Sequence, residues 1–331
     1  MHSYNKNVGL LAVAWTMAVI SPANAKGLGK FSRWSAPVNL GPAVNSSSDD
    51  YHPAISRDGL SLYLTSTRPG GFATTPGFED IWVSHRATVD DVWGPPQHLG
   101  PNINSAAGQG VCCPNLSPDQ RDLYFSGFRQ GALTTFDIWV THRENKHDDF
   151  GWGLPVNLGP GVNNDPTGQC APTFFEDEES GLTSLYFCRT TGPLGIPVPD
   201  FDIFVSMLRL DGVWGRAALV YELNSPKRNT RTAIRRDGLE MFITSNRAGG
   251  AGKNDLWVST RETTLDAWST PVNVTELNTA AAEGGPALSW DGTTLYFFSD
   301  RSGGFGGRDL YVATRSPLSD GDDDADRKMH R

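Results

Sequence analysis

Short runs of alternating hydrophobic and polar residues recur along most of the chain. Leu62-Tyr63-Leu64, Leu123-Tyr124-Phe125, Leu185-Tyr186-Phe187, Met241-Phe242-Ile243 and Leu295-Tyr296-Phe297 form one set. Asp80-Ile81-Trp82-Val83, Asp137-Ile138-Trp139-Val140, Asp202-Ile203-Phe204-Val205, Asp255-Leu256-Trp257-Val258 and Asp309-Leu310-Tyr311-Val312 form a second. Runs this short, aromatic and β-branched, and bounded by turn residues, predict strands. Trp34, Trp93, Trp152, Trp214 and Trp268 open five copies of the pattern at roughly 60-residue intervals, and a fixed period marks a repeat architecture. Arg57-Asp58-Gly59, Arg236-Asp237-Gly238 and Trp290-Asp291-Gly292 supply hairpin turns, where glycine takes positive φ without a Cβ clash.

Four short strands per copy cannot bury their faces singly, whereas sheets set radially cover one another. The expectation is an all-β fold: a five-bladed β-propeller with four antiparallel strands per blade. The first copy opens on an outer strand alone, Pro37-Val38-Asn39-Leu40, and the last ends after Asp309-Leu310-Tyr311-Val312. The N-terminal strand is therefore expected to join the last blade and close the ring. A linear solenoid has no use for such an overlap.

The units carry Pro53-x-x-Ser56-x-Asp58-Gly59-x-x-x-Tyr63, then Ser66-x-Arg68-x-Gly70-Gly71, then Asp80-Ile81-Trp82-Val83-Ser84. The fifth copy repeats Pro286-x-x-Ser289-x-Asp291-Gly292 and Ser299-x-Arg301-x-Gly303-Gly304. This pattern resembles the WD-repeat-like propeller unit of the TolB type over roughly residues 34–315. The resemblance implies a partner-binding platform of the bacterial envelope; TolB itself differs in carrying an extra N-terminal domain.

Composition sharpens this picture. The 36 glycines and 22 prolines fit a fold of many tight turns, and a net charge of −9 argues against a nucleic-acid partner. Residues 1–25 read as a signal peptide: Lys6, an apolar Val8–Ile20 run too short to span a bilayer, and the small-x-small ending Ala23-Asn24-Ala25. The mature chain is thus expected to be periplasmic or extracellular, without a transmembrane segment, and monomeric. Residues 26–316 form the propeller domain, and 317–331, with Asp320 to Asp326, form a disordered acidic tail.

Arg68, Arg129, Arg247 and Arg301 each precede Asp80, Asp137, Asp255 or Asp309 by 8 to 12 residues, which predicts structural Arg–Asp pairs tying a loop. The third copy has Thr191 at the Arg position and Arg189 two residues earlier.

Function is expected at the channel mouth, where the first strands begin. Aligning the copies on Pro53, Pro114, Pro172, Ala233 and Pro286 places Asp50, Tyr51, His52, Cys112, Cys113, Gln169, Cys170, Arg231 and Glu283 there. Tyr51, His52, Gln169 and Arg231 are candidate binding residues for an envelope protein or a cell-envelope glycan. The alternative is a carbohydrate-active enzyme with Asp50 and Glu283 as acid and base and Arg231 on an anionic substituent. A Ca²⁺ ion among Asp49, Asp50 and Glu283 lacks a supporting loop pattern, and no cofactor is assigned. In an exported protein, four clustered cysteines predict disulfides, Cys112–Cys170 across the mouth and Cys113–Cys188. A metal site of Cys112, Cys170 and His52 is the competing reading. It lacks Cys-x-x-Cys spacing, and no metal is assigned.

Overall fold

The computed structural model describes residues 31–72, 78–104, 110–164, 168–190 and 200–318. The signal-peptide assignment, Thr191 and the acidic run from Asp320 lie outside these residues. Five sheets, each of four antiparallel strands, succeed one another around a ring. The inner strands are Asp50–Ile55, Val111–Leu116, Gln169–Glu176, Asn229–Ile234 and Glu283–Leu288. They contact one another from blade to blade, inner strand five against inner strand one included. The fold is a five-bladed β-propeller. Its closure follows the expectation: Val38 pairs with Val312 and Asn39 with Tyr311, so the outer strand of blade five comes from the start of the chain. Among the described residues no helix is long and apolar enough to cross a membrane.

Each blade interface is packed by the aromatic runs. Leu123 and Phe125 of blade two meet Tyr63, Ile81 and Val83 of blade one, and Phe242 and Leu256 of blade four meet Leu295 and Phe297 of blade five. The recurrent tryptophans are buried and capped by cations that follow the third strand. Arg86 lies 4.4 Å from the Trp93 ring centre, Arg143 4.3 Å from Trp152, Arg261 4.2 Å from Trp268 and Arg315 4.5 Å from Trp34. Blade three has Leu208 at this position and leaves Trp214 without that cation.

The repeated Arg–Asp motif works differently from the expected pairing. Arg68 pairs with Asp50, not Asp80, and Arg301 pairs with Glu283 at 3.1 Å, not with Asp309. Arg247 donates to Asn229 at 2.9 Å rather than to Asp255, and Arg129 to the Ile103 carbonyl at 2.6 Å rather than to Asp137. Each arginine also holds one carbonyl of the preceding loop, those of Val44, Leu223 and Leu277 in blades one, four and five. Arg189 does the same for Val162 in blade three at 3.3 Å, which explains why that copy tolerates the displaced arginine.

The third-strand aspartates turn back on their own hairpin. Asp137 accepts from the Leu133 amide at 2.6 Å and Asn157 at 2.6 Å; Asp309 accepts from the Phe305 amide at 2.6 Å and Asn39 at 2.9 Å. The Gly-Gly dipeptide is the space they need. A Cβ on Gly71, Gly250 or Gly304 would lie 2.2, 1.9 or 2.4 Å from the carboxylate of Asp80, Asp255 or Asp309.

Candidate functional site

The inner strands do not run regularly into the channel. Each is interrupted near its start by an irregularity, between Tyr51 and Ala54 in blade one and between Cys112 and Asn115 in blade two. The residue at the break takes the left-handed conformation in every blade: His52 (φ 50°), Cys113 (φ 62°), Ala171 (φ 55°), Arg231 (φ 37°) and Gly285 (φ 62°). Four of these five are not glycine, a costly set for a region that side chains rarely adopt. In blades two, three and five the conformation is held from the neighbouring blade. The Cys113 amide donates to Thr65 Oγ1 at 3.1 Å, Ala171 to Ser126 at 3.0 Å and Gly285 to Thr244 at 3.0 Å.

This ring corrects the sequence alignment in blade four. Ala233 pairs with Phe242 as Ala54 pairs with Tyr63, so Thr232 stands where Pro53 does. Arg231 is therefore the counterpart of His52 rather than of Tyr51, and Asn229 that of Asp50. The buried guanidinium of Arg231 donates to the Pro53 carbonyl at 3.1 Å and the Pro114 carbonyl at 3.4 Å, while its Nε and Nη1 meet no acceptor among the described residues. It bridges blade four to blades one and two across the channel.

Asp50 and Glu283 begin their strands, but neither side chain is exposed. Asp50 accepts from Ser46 Oγ at 2.8 Å, Ser66 at 2.6 Å and Arg68; Glu283 accepts from Thr279 at 2.8 Å, Ser299 at 2.7 Å and Arg301. Each closes the loop of its own blade. Asp49 lies 3.9 Å from Arg308, and among the described residues Asp49, Asp50 and Glu283 do not converge as ion ligands. Gln169 is likewise wholly buried, on the Phe136 carbonyl and Thr134. Tyr51 is buried under Arg308, 5.1 Å from the ring centre, with His52 4.6 Å away on its edge.

The cysteines pair differently from the expectation. All four are free thiols; Cys112 Sγ lies 3.0 Å from Cys113 Sγ, and Cys170 Sγ lies 2.6 Å from Cys188 Sγ, its cross-strand partner. Neither Cys112–Cys170 nor Cys113–Cys188 is brought together as a bonded pair. Cys113 Sγ also lies 3.2 Å from His52 Nδ1. Burial opposes ionising Cys113, but the hydrogen bond from Cys112, the neighbouring His52 ring and the Arg231 guanidinium bring its pKa below the ordinary thiol range. The hydrogen bond to Cys113, together with burial, pushes the Cys112 thiol up, so the pair holds one proton tightly. Burial holds His52 below its ordinary value.

Beside this cluster, on the face where the inner strands begin, is a cavity of about 370 Å³. Half-buried Phe78, Phe128, Phe136 and Phe201 wall it, with Glu79 and Cys170 among its polar groups. Phe128 sets its edge against Phe136 at 4.8 Å and Phe78 at 6.0 Å. Burial pushes the Glu79 carboxyl up to about 7, with hydrogen bonding from Cys112 and Tyr51 opposing the rise.

The chain shares its fold with glycoside hydrolases. The catalytic domain of a GH62 α-L-arabinofuranosidase from Coprinopsis cinerea superposes with a TM-score of 0.55, 13% identity, and coverage of 87% of this chain and 98% of that one. An α-L-arabinofuranosidase from Lactobacillus brevis matches at 0.55 and 14% identity, covering 86% and 94%. A family 117 glycoside hydrolase, Zg3597 from Zobellia galactanivorans, matches at 0.51 and 11%, covering 87% and 90%. No protein-family model matches the sequence, and no curated protein does. These findings overturn the resemblance to TolB-type and WD-repeat units. The hairpin, Gly-Gly and Asp-aromatic motifs behind that resemblance are demands of a four-stranded blade and do not identify a family.

Sequence reasoning reached the channel mouth but missed Glu79 and the phenylalanine wall. Glu79 precedes the third strand of blade one, outside the inner-strand positions that were aligned. Its one sequence signal is a carboxylate between Phe78 and Asp80 where the other copies have Phe136, Phe201, Asn254 and Arg308.

Proposed function

We propose that this protein is a carbohydrate-active propeller that takes a sugar into the phenylalanine-walled cavity at the channel mouth. The observation carrying this reading is the cavity itself, about 370 Å³ of aromatic wall with a single carboxylate, Glu79, in its lining. That size lies within the usual range for small-ligand sites. Aromatic faces pack against the C–H faces of a pyranose or furanose ring, and a carboxylate accepts from its hydroxyls. Fold-likeness to glycoside hydrolases supports the same ligand class without fixing residues, at 11–14% identity.

Within this reading Glu79 replaces Asp50 and Glu283 as the group that meets a glycosidic oxygen. The other two are committed to Arg68 and Arg301 and turned away from solvent. Glycosidases usually need two carboxyl groups flanking the bond. Among the described residues the cavity lining offers one, so recognition stands ahead of cleavage.

The test is to incubate the protein with arabinose- and xylose-containing oligosaccharides, following melting temperature and release of reducing ends. A ligand at 100 times its Kd stabilises by about 2.7 kcal/mol, a readable shift. The expected result is a shift from one sugar class, with any cleavage lost in Glu79→Gln. A panel that neither shifts nor is cleaved overturns the reading, and binding without cleavage overturns its hydrolase part.

A further inference from the structure

The ring of left-handed residues places two thiols and an imidazole where an ordinary strand cannot. Successive side chains of a strand point to opposite faces, so adjacent cysteines normally diverge. Here the irregularity at Cys113 turns both sulfurs to one side, and the matching irregularity in blade one brings His52 to meet them. Cys112 Sγ, Cys113 Sγ and a ring nitrogen of His52 all lie within 4.8 Å of one another. We propose that these three residues bind a thiophilic metal ion, Zn²⁺ in the first place, at the head of the channel.

The donor set decides the class of ion. Two thiolates and an imidazole suit Zn²⁺ or Cu⁺ and disfavour Ca²⁺ and Mg²⁺, which take oxygen. Zn–S and Zn–N bonds of about 2.3 and 2.0 Å put tetrahedral ligand atoms about 3.5–3.8 Å apart. The observed 3.0 and 3.2 Å separations need to open by less than 1 Å, and the third, within 4.8 Å, to close by about 1 Å. Three protein ligands leave a fourth position, the arrangement of zinc sites that keep a place for water or substrate. Arg231, fixed to the Pro53 and Pro114 carbonyls, supplies positive charge near the thiolates. The site stands whether or not the neighbouring cavity takes a sugar.

Cobalt replaces zinc with a visible signature and so makes the test direct. The full chain, reduced and desalted without oxygen, is titrated with Co²⁺. One equivalent should bind, producing thiolate-to-cobalt charge-transfer absorption that Zn²⁺ then abolishes. Cys113→Ser and His52→Ala should bind at least tenfold more weakly, while Cys188→Ser binds as the unaltered protein does. A measurement on unaltered protein guards against misfolded variants: Zn²⁺ should protect Cys112 and Cys113, and not Cys170 and Cys188, from alkylation mapped by mass spectrometry. The proposal is overturned by reduced, folded protein that takes up no Co²⁺ or shows no thiolate band. Protection of Cys170 and Cys188 instead, or a Cys112–Cys113 disulfide that forms on exposure to air despite excess Zn²⁺, also overturns it.

Discussion

The carboxylate of Asp50 lies against the guanidinium of Arg68, inside blade one and shielded from solvent. Blade four makes the same connection with a neutral partner, Asn229 to Arg247 at 2.9 Å. This position is therefore a structural anchor that accepts either a charge or an amide. Asp50→Asn should keep the fold and cost less than Asp50→Ala, which strands a buried cation and should cost about 3–5 kcal/mol. Denaturant titration of the two variants checks the order. Equal losses would show that the negative charge, rather than the hydrogen-bond acceptor, is what blade one requires.

Gly304 leaves room for the Asp309 carboxylate as Gly250 does for that of Asp255. With a Cβ placed 2.4 Å from the Asp309 carboxylate, Gly304→Ala must expel that carboxylate from the Phe305 amide and from Asn39. Asn39 belongs to the strand that closes the ring, so the loss should loosen the closure. A fall of about 2–4 kcal/mol in stability is expected, combining steric displacement with lost hydrogen bonds to a charged group. Hydrogen exchange should rise at Val38 and Val312 before the other blades. Uniform exchange across all five blades would contradict this account.

Asp149 ties blades one and two together, accepting from Ser61 at 2.5 Å, from Tyr63 and Arg143, and from His85 at 2.8 Å. Burial raises its carboxyl, but the hydrogen bonds from Ser61, Tyr63 and Arg143 outweigh it and hold the group below the usual aspartate value. A group whose folded pKa is depressed contributes stability above its unfolded pKa and loses it as pH falls through the folded one. Stability should therefore decline on acidification below about pH 4, near the unfolded aspartate value. Asp149→Asn should lower stability at neutral pH by about 3 kcal/mol and flatten that acid limb. An acid limb as steep in the variant as in the unaltered protein would place the responsible carboxyl elsewhere.

The architecture was legible because packing dictates it five times over. Leu62-Tyr63-Leu64 and its four counterparts must fill equivalent interfaces, and the unpaired Pro37–Leu40 strand announced the closure later found between Asn39 and Tyr311. The arginine partners were not legible. Ser66 pairs with Asp50 on one edge and Asp80 on the other, so strand order alone leaves Arg68 either partner; Asp80 is taken up by the Phe72 amide and His98. Blade four slipped by one residue because it has no proline to mark the position: Thr232-Ala233-Ile234 stands where blade one has Pro53-Ala54-Ile55. The site was harder still. Its cluster depends on left-handed backbone at His52 and Cys113, residues for which no sequence rule predicts that conformation, and Glu79 reaches the mouth from just before a third strand.

The phenylalanine-walled cavity is the proposed place of carbohydrate binding. Calorimetric titration with the oligosaccharide that shifts the melting temperature, on unaltered protein, Phe136→Ala and Asp50→Asn, tests it directly. Phe136→Ala should bind at least tenfold more weakly, a loss of about 1.4 kcal/mol or more, while Asp50→Asn binds within about twofold of the unaltered protein. Undiminished affinity in a folded Phe136→Ala protein, or loss of affinity in Asp50→Asn alone, would contradict the account.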